Sequence, residues 1–155
     1  MKFSAQEEYG LRCLLAIAKK GPDGSMTIPE ISREEGLTQS HVAKLLAILR
    51  KAGFISSTRG QLGGYTLART PENIGIKEVL ESLGGRLFGE GFCERHSGIE
   101  AECVHETECL LRPLWTNIQF VVDQVITKYS LGDLLDSTIP EPLITLGARP
   151  EKVKA

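Results

Sequence analysis

The 155-residue sequence predicts a mainly α fold with a small β-hairpin. Two observations lead to this prediction. Apolar residues recur at intervals of three and four in several segments that open with helix-capping residues. One glycine-rich stretch joins two short segments that contain β-branched and aromatic residues, which is typical of a hairpin. The composition, with 41% hydrophobic and 25% charged residues, is that of a soluble chain that can bury one core.

The first three helices follow from their capping signals. Capping boxes at residues 4–7 and 27–30 open the first and second helices, and Thr38 caps the third. Gly36 ends the second helix, so only a short glycine-containing turn separates it from the third. This spacing matches a helix-turn-helix, although any small helical bundle could share it. Cys13 lies on the first helix, where we expect it to fill the core.

A hairpin directly after these helices favours a DNA-binding protein over a generic bundle. Residues 54–58 and 65–68 predict its strands, and Arg59-Gly-Gln-Leu-Gly-Gly64 predicts its tip. Glycines allow the backbone of the tip to approach another surface closely, and an arginine in a slim loop suits a narrow minor groove. A further helix is predicted over residues 76–83. Together these elements predict a winged helix-turn-helix DNA-binding domain over residues 1–84.

The charge distribution supports a polyanionic partner. Residues 1–80 carry 11 Lys and Arg against 8 Asp and Glu, whereas residues 81–155 carry 7 against 12. An acid-free basic stretch over residues 36–69 suits DNA better than the net charge of −2 suggests, although acids elsewhere could balance the same face. The basic residues of this stretch are Lys44, Arg50, Lys51, Arg59 and Arg69.

Three cysteines follow the predicted domain in the pattern C-x9-C-x5-C. They are Cys93, Cys103 and Cys109, and their neighbours are mostly charged or polar, which is typical of a loop and not of a core. Clustered thiolates can hold a soft metal ion or an iron–sulfur cluster. Packing in a core and a disulfide bond are the alternatives. We assign residues 85–112 as a cysteine-containing, cluster-binding loop.

The N-terminal residues show no apolar segment typical of a secretory signal, and no apolar run approaches the length of a membrane span. We therefore expect a cytoplasmic protein with no membrane partner. Stable disulfides are rare in the cytoplasm, where clustered thiols more often indicate metal or redox chemistry.

One long amphipathic helix is predicted over residues 113–137. Its apolar face is large for a helix that extends beyond a small domain, and packing against the same helix of a second copy would bury it. Packing onto its own domain is the alternative. We assign the segment as a dimerisation helix. The remaining residues, 138–155, contain prolines and a charged end and are expected to form a flexible tail.

Several of these segments resemble one known family, the IscR/NsrR/RirA-type winged-helix iron–sulfur transcription regulators, or Rrf-two family. The resemblance runs from Met1 to about Leu135, and its specific parts are the wing sequence and the spacing from the last cysteine to the tryptophan. The segments that carry it are the opening Met-Lys-Phe-Ser with its helix, residues 31–53, Ser57-Thr-Arg-Gly-Gln-Leu-Gly-Gly-Tyr65, the helix near Val79, the three cysteines and Cys109-Leu-Leu-Arg-Pro-Leu-Trp115.

The resemblance implies a homodimer that binds double-stranded DNA and holds an iron–sulfur cluster near its dimerisation helix. We expect a pseudo-palindromic operator, because the dimer is twofold symmetric, and a cluster of the 2Fe-2S rather than the 4Fe-4S type. Cys93, Cys103 and Cys109 match the family's cluster cysteines. Arg59 matches the wing arginine. The residues expected to contact DNA are Thr38, Ser40, His41, Lys44, Arg50, Lys51, Arg59, Gly60, Gly63, Gly64 and Tyr65.

The fourth ligand of the metal site stays open in the sequence. The first gap between cysteines is longer than is common in the family, and Arg112 stands where IscR-like members carry a ligating histidine. Glu8 matches the acidic residue of the first helix that NsrR-like members supply from the partner subunit, and it is our first candidate. The competing candidates are His105, His96 and Glu106.

The sequence as a whole predicts a DNA-binding transcriptional regulator, a repressor, and not an enzyme. Its operator binding would be controlled by a cluster that senses iron–sulfur status, redox state or nitric oxide. The alternative is a zinc- or thiol-based winged-helix regulator without a cluster, since three cysteines and a histidine also suit tetrahedral zinc. An enzyme or electron carrier is disfavoured, because the chain lacks the tight cysteine runs of ferredoxins and any evident substrate motif.

Overall fold

The computed structural model describes residues 3–58, 63–100, 102–105 and 108–137. Residues 59–62 of the predicted wing tip, Glu106 and the predicted tail at 138–155 lie outside these residues. The helices, strands and one 3-10 turn of the described part are α1 (Ala5–Ala18), α2 (Ile28–Glu35), α3 (Gln39–Lys51), β1 (Ile55–Thr58), β2 (Gly64–Leu67), the turn Pro71–Asn73, α4 (Ile76–Leu83), α5 (Phe92–Arg95), α6 (Arg112–Ile126) and α7 (Leu131–Leu135).

The capping residues form the hydrogen bonds that the sequence predicts. The Ser4 hydroxyl accepts a bond from the Glu7 N–H at 3.2 Å, and the Ser4 N–H donates to the Glu7 carboxylate at 2.6 Å. The same box opens α2, and the Thr38 hydroxyl caps α3. Gly36 ends α2 at φ +66°, a left-handed conformation that costs glycine little. The two helices are therefore held on either side of a short turn.

The predicted hairpin forms an antiparallel pair. Ile55 lies opposite Leu67, and Thr58 lies opposite Gly64. Tyr65 also exchanges backbone hydrogen bonds with Met26, at 2.8 and 3.0 Å, which joins the hairpin to the entrance of α2. A Cβ at Gly64 would come within 3.0 Å of the Met26 carbonyl oxygen, so this close approach favours glycine. The base of the wing is thus fixed to the helices.

The hydrophobic core lies between α1, α3, α4 and the hairpin. Leu14, Leu46, Phe54 and Val79 are at most 2% exposed and belong to one continuous cluster. Cys13 is fully buried in it, which confirms its predicted role as core filler. Burial raises the pKa of the Cys13 thiol to about 11.

The prediction of one helix over residues 113–137 is wrong in its C-terminal part. Helix α6 ends at Ile126, and Ser130 caps the separate helix α7 in a capping box with Asp133. The segment between the helices is tied to α4, because the Tyr129 carbonyl accepts from the Ile76 N–H at 2.9 Å. Leu131, two residues after Tyr129, is fully buried in the core. This backbone bond and this buried side chain bring the chain back to the first domain.

Candidate DNA interface and cysteine segment

Helix α3 presents polar side chains at its N-terminal end. Thr38, Gln39 and Ser40 are exposed, and the Thr38 and Ser40 hydroxyls lie 3.3 Å apart. Lys44 follows one turn later and is also exposed. In a helix-turn-helix protein the N-terminal residues of the second helix meet base edges in the major groove. The predicted recognition face is therefore accessible.

His41 differs from its neighbours, because its ring is partly used in packing. It contacts the Tyr9 ring edge-on, with 5.6 Å between the ring centroids. The guanidinium of Arg12 also lies against the Tyr9 ring, 5.4 Å from its centroid. Arg12 bonds the Glu35 carboxylate at 2.8 Å and the Glu35 carbonyl at 2.7 Å. Helix α1 thereby holds both the end of α2 and the start of α3.

The hydrogen bond with Glu35 is the main reason that the pKa of Arg12 lies above its ordinary value, and the nearby Glu8 adds a smaller contribution. Glu8 is exposed on α1, one turn before Arg12.

The basic residues at the C-terminal end of α3 are available to a polyanion. Arg50 and Lys51 are exposed and stand in the last turn of the helix. Among the described residues, neither of them nor Lys44 forms a salt bridge. These three residues are therefore not neutralised by acids of the described part of the chain, whereas Arg69 of the same predicted stretch pairs with Glu78 at 3.4 Å.

Two predicted wing residues, Arg59 and Gly60, lie outside the described residues. Of the others, Gly63 and Gly64 are half-buried at the base of the wing, where the Thr58 hydroxyl contacts both the N–H and the carbonyl of Gly64 at 3.3 Å. Tyr65 packs against the core. Its ring therefore anchors the wing, whatever its backbone contributes to a DNA surface.

The cysteine segment is not an uninterrupted loop. Cys93 lies in α5, while Cys103 and Cys109 lie in the irregular residues that follow. All three are half-buried, and none is in a disulfide. Among the described residues, no group of three or more His, Cys, Asp or Glu side chains is placed to hold a metal ion. The structure thus gives the position of each thiol but does not bring the three together with Glu8, His96 or His105.

An ordered turn surrounds the first thiol. This Cys93 turn, residues 91–98, begins at Gly91 and ends at Gly98, both of which have left-handed backbone angles. The Phe88 and Phe92 rings pack edge-on at 4.9 Å, and the Phe92 and His96 rings stack at 4.2 Å. Three rings spaced four residues apart therefore form one aromatic stack beside Cys93.

A polar brace attaches this stack to α6. The Phe88 N–H donates to the Gln119 side-chain carbonyl at 2.9 Å, and the Gln119 amide donates to Asp123 at 2.8 Å. Arg86 bonds the same carboxylate at 2.5 Å, and Lys77 of α4 lies 3.6 Å from it. Gln119 is only 5% exposed, the one buried polar side chain of the described residues. Sequence reasoning missed this brace, although a glutamine and an aspartate four apart on an apolar helix are a signal.

The outward face of α6 and the residues before it is apolar and exposed. Within α6 only Gln119 is buried. A soluble monomer rarely leaves so many neighbouring large apolar side chains in water. The exposed side chains are Leu110 (92%), Leu111 (56%), Leu114 (50%), Phe120 (60%) and Val121 (47%). Among the described helices, none has the length and apolar character needed to cross a bilayer.

A helix-turn-helix joined to a hairpin, with an exposed polar start and an unneutralised basic end on its second helix, defines a winged-helix DNA-binding protein. The Rrf2 family model, described as an iron-dependent transcriptional regulator, matches residues 3–137. The chain therefore belongs to the Rrf2 family of transcriptional regulators. This membership confirms the predicted family and fold, and it confirms that the protein is a DNA-binding regulator and not an enzyme.

The relatives include regulators with different names. The chain is 31% identical to protein rrf2 of Nitratidesulfovibrio vulgaris over 140 residues, which cover 87% of each chain. It is similar to the solved structure of T. potens IscR, with a TM-score of 0.70, 25% identity and coverage of 95% of this chain and 94% of that one. It is also similar to CymR, the global cysteine regulator of B. subtilis, with a TM-score of 0.69, 28% identity and coverage of 88% and 98%.

Proposed function

We propose that this regulator is a cytoplasmic repressor that binds a pseudo-palindromic operator as a homodimer, and that a metal centre on Cys93, Cys103 and Cys109 controls its affinity. The observation that carries the proposal is the bond between the Phe88 N–H and Gln119. It links the segment that bears the first thiol to the helix whose apolar face is open to a second copy.

The DNA contacts are assigned from exposure and charge. Thr38, Ser40 and Lys44 would meet base edges, because they stand exposed at the start of the recognition helix. Hydroxyl groups can serve several bases, so Thr38 and Ser40 orient the helix more than they specify a sequence. Arg50 and Lys51 would contact phosphates. Arg59 would enter the minor groove from the wing tip.

The homodimer is supported by the exposed apolar face of α6. Pairing this face with its twin would remove Leu114, Phe120 and Val121 from water. Because each is about half exposed, each would contribute about half of the roughly 1.5–3 kcal/mol of a full burial. The twofold axis that relates the two paired α6 helices would also place two recognition helices in one complex. This arrangement requires operator half-sites whose centres are about 10 base pairs or a multiple apart.

The donor set of the cysteine segment fits an iron–sulfur cluster, which we expect to be of the 2Fe-2S type. Three thiols that are partly exposed and free of disulfides are the ligands that such a group prefers. Glu8 of the partner subunit, His96, His105 or Glu106 would complete the site. When bound, the group would supply a centre that is sensitive to oxidants, nitric oxide and iron supply.

The protein's own part in the control is the connection between the thiol segment and α6. Ligation would fix the Cys93 turn, and the brace of Arg86, Gln119 and Asp123 would transmit its position to α6. Because α6 would pair with its twin, its position sets the separation of the two recognition helices. Operator affinity can shift only by the difference in binding free energy between the ligated and unligated forms.

A zinc- or thiol-based regulator is the second candidate. It is favoured by the similarity to CymR, which is named as a cysteine regulator. In that case the same brace would report zinc binding or oxidation of the cysteines.

One anaerobic purification would separate the candidates. We expect a brown protein with visible absorption and equal amounts of iron and acid-labile sulfide, and operator affinity that changes when both are removed. The matched control is the variant with all three loop cysteines changed to Ala, which should be colourless and remain a folded dimer. A colourless wild-type protein with stoichiometric zinc, or with bare thiols, would contradict the cluster and support the second candidate.

A further inference from the structure

His96 is held in one orientation beside Cys93. Its ring stacks on Phe92, with an angle of 22° between the ring planes, and its Nδ1 atom lies 2.7 Å from the Phe92 carbonyl oxygen. Phe92 packs on Phe88, whose N–H is bonded to Gln119 of α6. His96 is exposed, yet its ring is fixed on two sides and connected to the dimerisation helix.

The hydrogen bond determines which nitrogen is free. A carbonyl oxygen can only accept, so Nδ1 of His96 must carry the proton that is donated to Phe92. In the neutral ring the lone pair then lies on Nε2. A backbone carbonyl on Nδ1–H with Nε2 left open is the arrangement that commonly prepares a histidine for metal ligation.

His96 follows Cys93 closely in the chain. The two residues are three positions apart, and a 3.1 Å bond from the His96 N–H to the Cys93 carbonyl closes the turn between them. Helix α5 ends at Arg95, and His96 is its C-cap residue. One short turn of the chain therefore carries both a thiol and an imidazole.

We infer that Cys93 and His96 ligate the same metal centre, His96 through Nε2, and that His96 is the fourth protein ligand. The inference rests on the proposed metal-controlled function and names its missing ligand. The chemical class of the bound species is a thiophilic transition metal, such as zinc, ferrous iron or an iron of a cluster.

The side chains of the other described candidates, His105 and Glu8, are not fixed in one orientation as the His96 ring is. Within the described part of the chain, His105 has no hydrogen bond and no ring contact, so binding would have to fix its side chain. Glu8 is exposed on α1, and among the described residues its carboxylate has no hydrogen bond or salt bridge. A ligand that is fixed before binding loses less conformational entropy, which favours His96.

The test uses Co²⁺ as the probe, titrated anaerobically into the full-length apoprotein. Tetrahedral cobalt gives thiolate charge-transfer bands, which count the sulfur ligands, and ligand-field bands, which respond to the fourth ligand. His96→Ala should weaken Co²⁺ binding at least about tenfold and shift the ligand-field bands, while the charge-transfer bands stay. The matched controls are His105→Ala and Glu8→Ala, which should leave both affinity and spectrum unchanged.

Equal Co²⁺ affinity and identical ligand-field bands in His96→Ala and the wild-type protein would overturn the assignment of His96. A change confined to Glu8→Ala or to His105→Ala would also overturn it and would identify the ligand instead. Wild-type protein that binds Co²⁺ with no thiolate charge-transfer band would contradict the proposed cysteine centre itself. The failure of the ligand assignment and the failure of the proposed function are thus separate outcomes.

Discussion

The DNA-binding half of the chain and the segment from Arg86 to Ile126 bury their side chains in different ways. Among the described residues, every buried apolar side chain except Leu131 lies between Cys13 and Leu83. Helix α6 buries one side chain, and it is the polar Gln119. The first half supplies its own hydrophobic core, whereas the second is attached by polar bonds and leaves its apolar surface outward. A region built in this way is completed by another molecule, which suits a part whose position must depend on a signal.

The four cysteines also differ between the two regions, because Cys13 is buried in the core and Cys93, Cys103 and Cys109 are half-buried outside it. The difference in their reactivity is the largest effect that we expect. With a pKa of about 11, Cys13 is ionised in only about one molecule in a thousand at pH 8. In metal-free protein, iodoacetamide should therefore modify the three loop cysteines and leave Cys13 unmodified until the protein unfolds. Mass spectrometry of the labelled peptides measures this. Rapid labelling of Cys13 in folded protein would show that the core opens locally.

The buried thiol also predicts a pH dependence of stability. The folded state holds the Cys13 proton to a pKa of about 11, above the ordinary value of 9.0, so the unfolded state ionises first as the pH rises. The free energy of unfolding should be constant with respect to this group below pH 9 and should fall between pH 9 and 11. Urea denaturation at each pH checks this, and Cys13→Ala should remove the decline that belongs to this group.

Matched truncations test whether the two halves differ in their packing. Leu46 is fully buried, and Leu46→Ala should lower the free energy of unfolding by about 2–5 kcal/mol. Leu114 is 50% exposed, and Leu114→Ala should weaken dimerisation with a much smaller effect on the unfolding of the domain. Urea denaturation and sedimentation equilibrium separate the two effects. A destabilised domain with an intact dimer in Leu114→Ala would place α6 in its own core and not in an interface.

The DNA-binding half can be tested at two kinds of position, one on the wing and one on the recognition helix. Arg59→Ala should weaken operator binding by about 1–3 kcal/mol per half-site and reduce the preference for A·T-rich flanks. Lys51→Ala should instead lower affinity on all sequences and reduce the salt slope by about one unit for each phosphate that is no longer neutralised. Fluorescence anisotropy with operator and random DNA measures both. An equal reduction on both DNAs in Arg59→Ala would mean that the wing acts by its charge alone.

The smallest effect on stability is expected at the cap of α7, where the chain returns from α6 to the core. Ser130 accepts from the Asp133 N–H at 3.2 Å and donates to the Asp133 carboxylate at 2.7 Å. Ser130→Ala should lower the free energy of unfolding by about 1 kcal/mol, because it removes the cap of α7. The side-chain hydrogen bond with Ser130 also lowers the pKa of Asp133. The contribution of this pair to the free energy of unfolding should therefore be lost as the pH falls through that lowered pKa. Ser130→Thr is the control, since it keeps the hydroxyl.

Sequence reasoning succeeded where a signal is local. The caps at Ser4, Thr27 and Thr38 need only residues three apart, and each forms the predicted bonds. It failed where a partner is distant in the chain. The bond between Tyr129 and Ile76, which ties the chain after α6 to α4, joins residues far apart in the sequence and could not be predicted. The start of α7 could have been, because Ser130 and Asp133 form a capping box three residues apart.

The candidate site divides in the same way. Exposure of the recognition helix and burial of Cys13 follow from helical periodicity, so both could be predicted. The hydrogen bond from Phe88 to Gln119 joins residues 31 positions apart and could not be predicted, whereas the bond between Gln119 and Asp123 follows from their spacing on one helix. The ring orientation of His96 depends on its stacking with Phe92, which a loop composition does not encode. The proposed grouping of the three thiols would involve a metal and a second copy, which a single chain does not specify.

Backbone hydrogen bonds of Tyr129 and Leu131 attach the C-terminal end of α6 to the DNA-binding domain at Ile76 and Ile74. The N-terminal end of α6 stands next to Cys109, and at 1.5 Å per residue the helix of 15 residues is about 22 Å long. A rotation of about 5° at the fixed end therefore moves the cysteine end by about 2 Å over this length. In the proposed metal-controlled regulator, a displacement of that size at the cysteines would correspond to a rotation of about 5° at the DNA-binding domain.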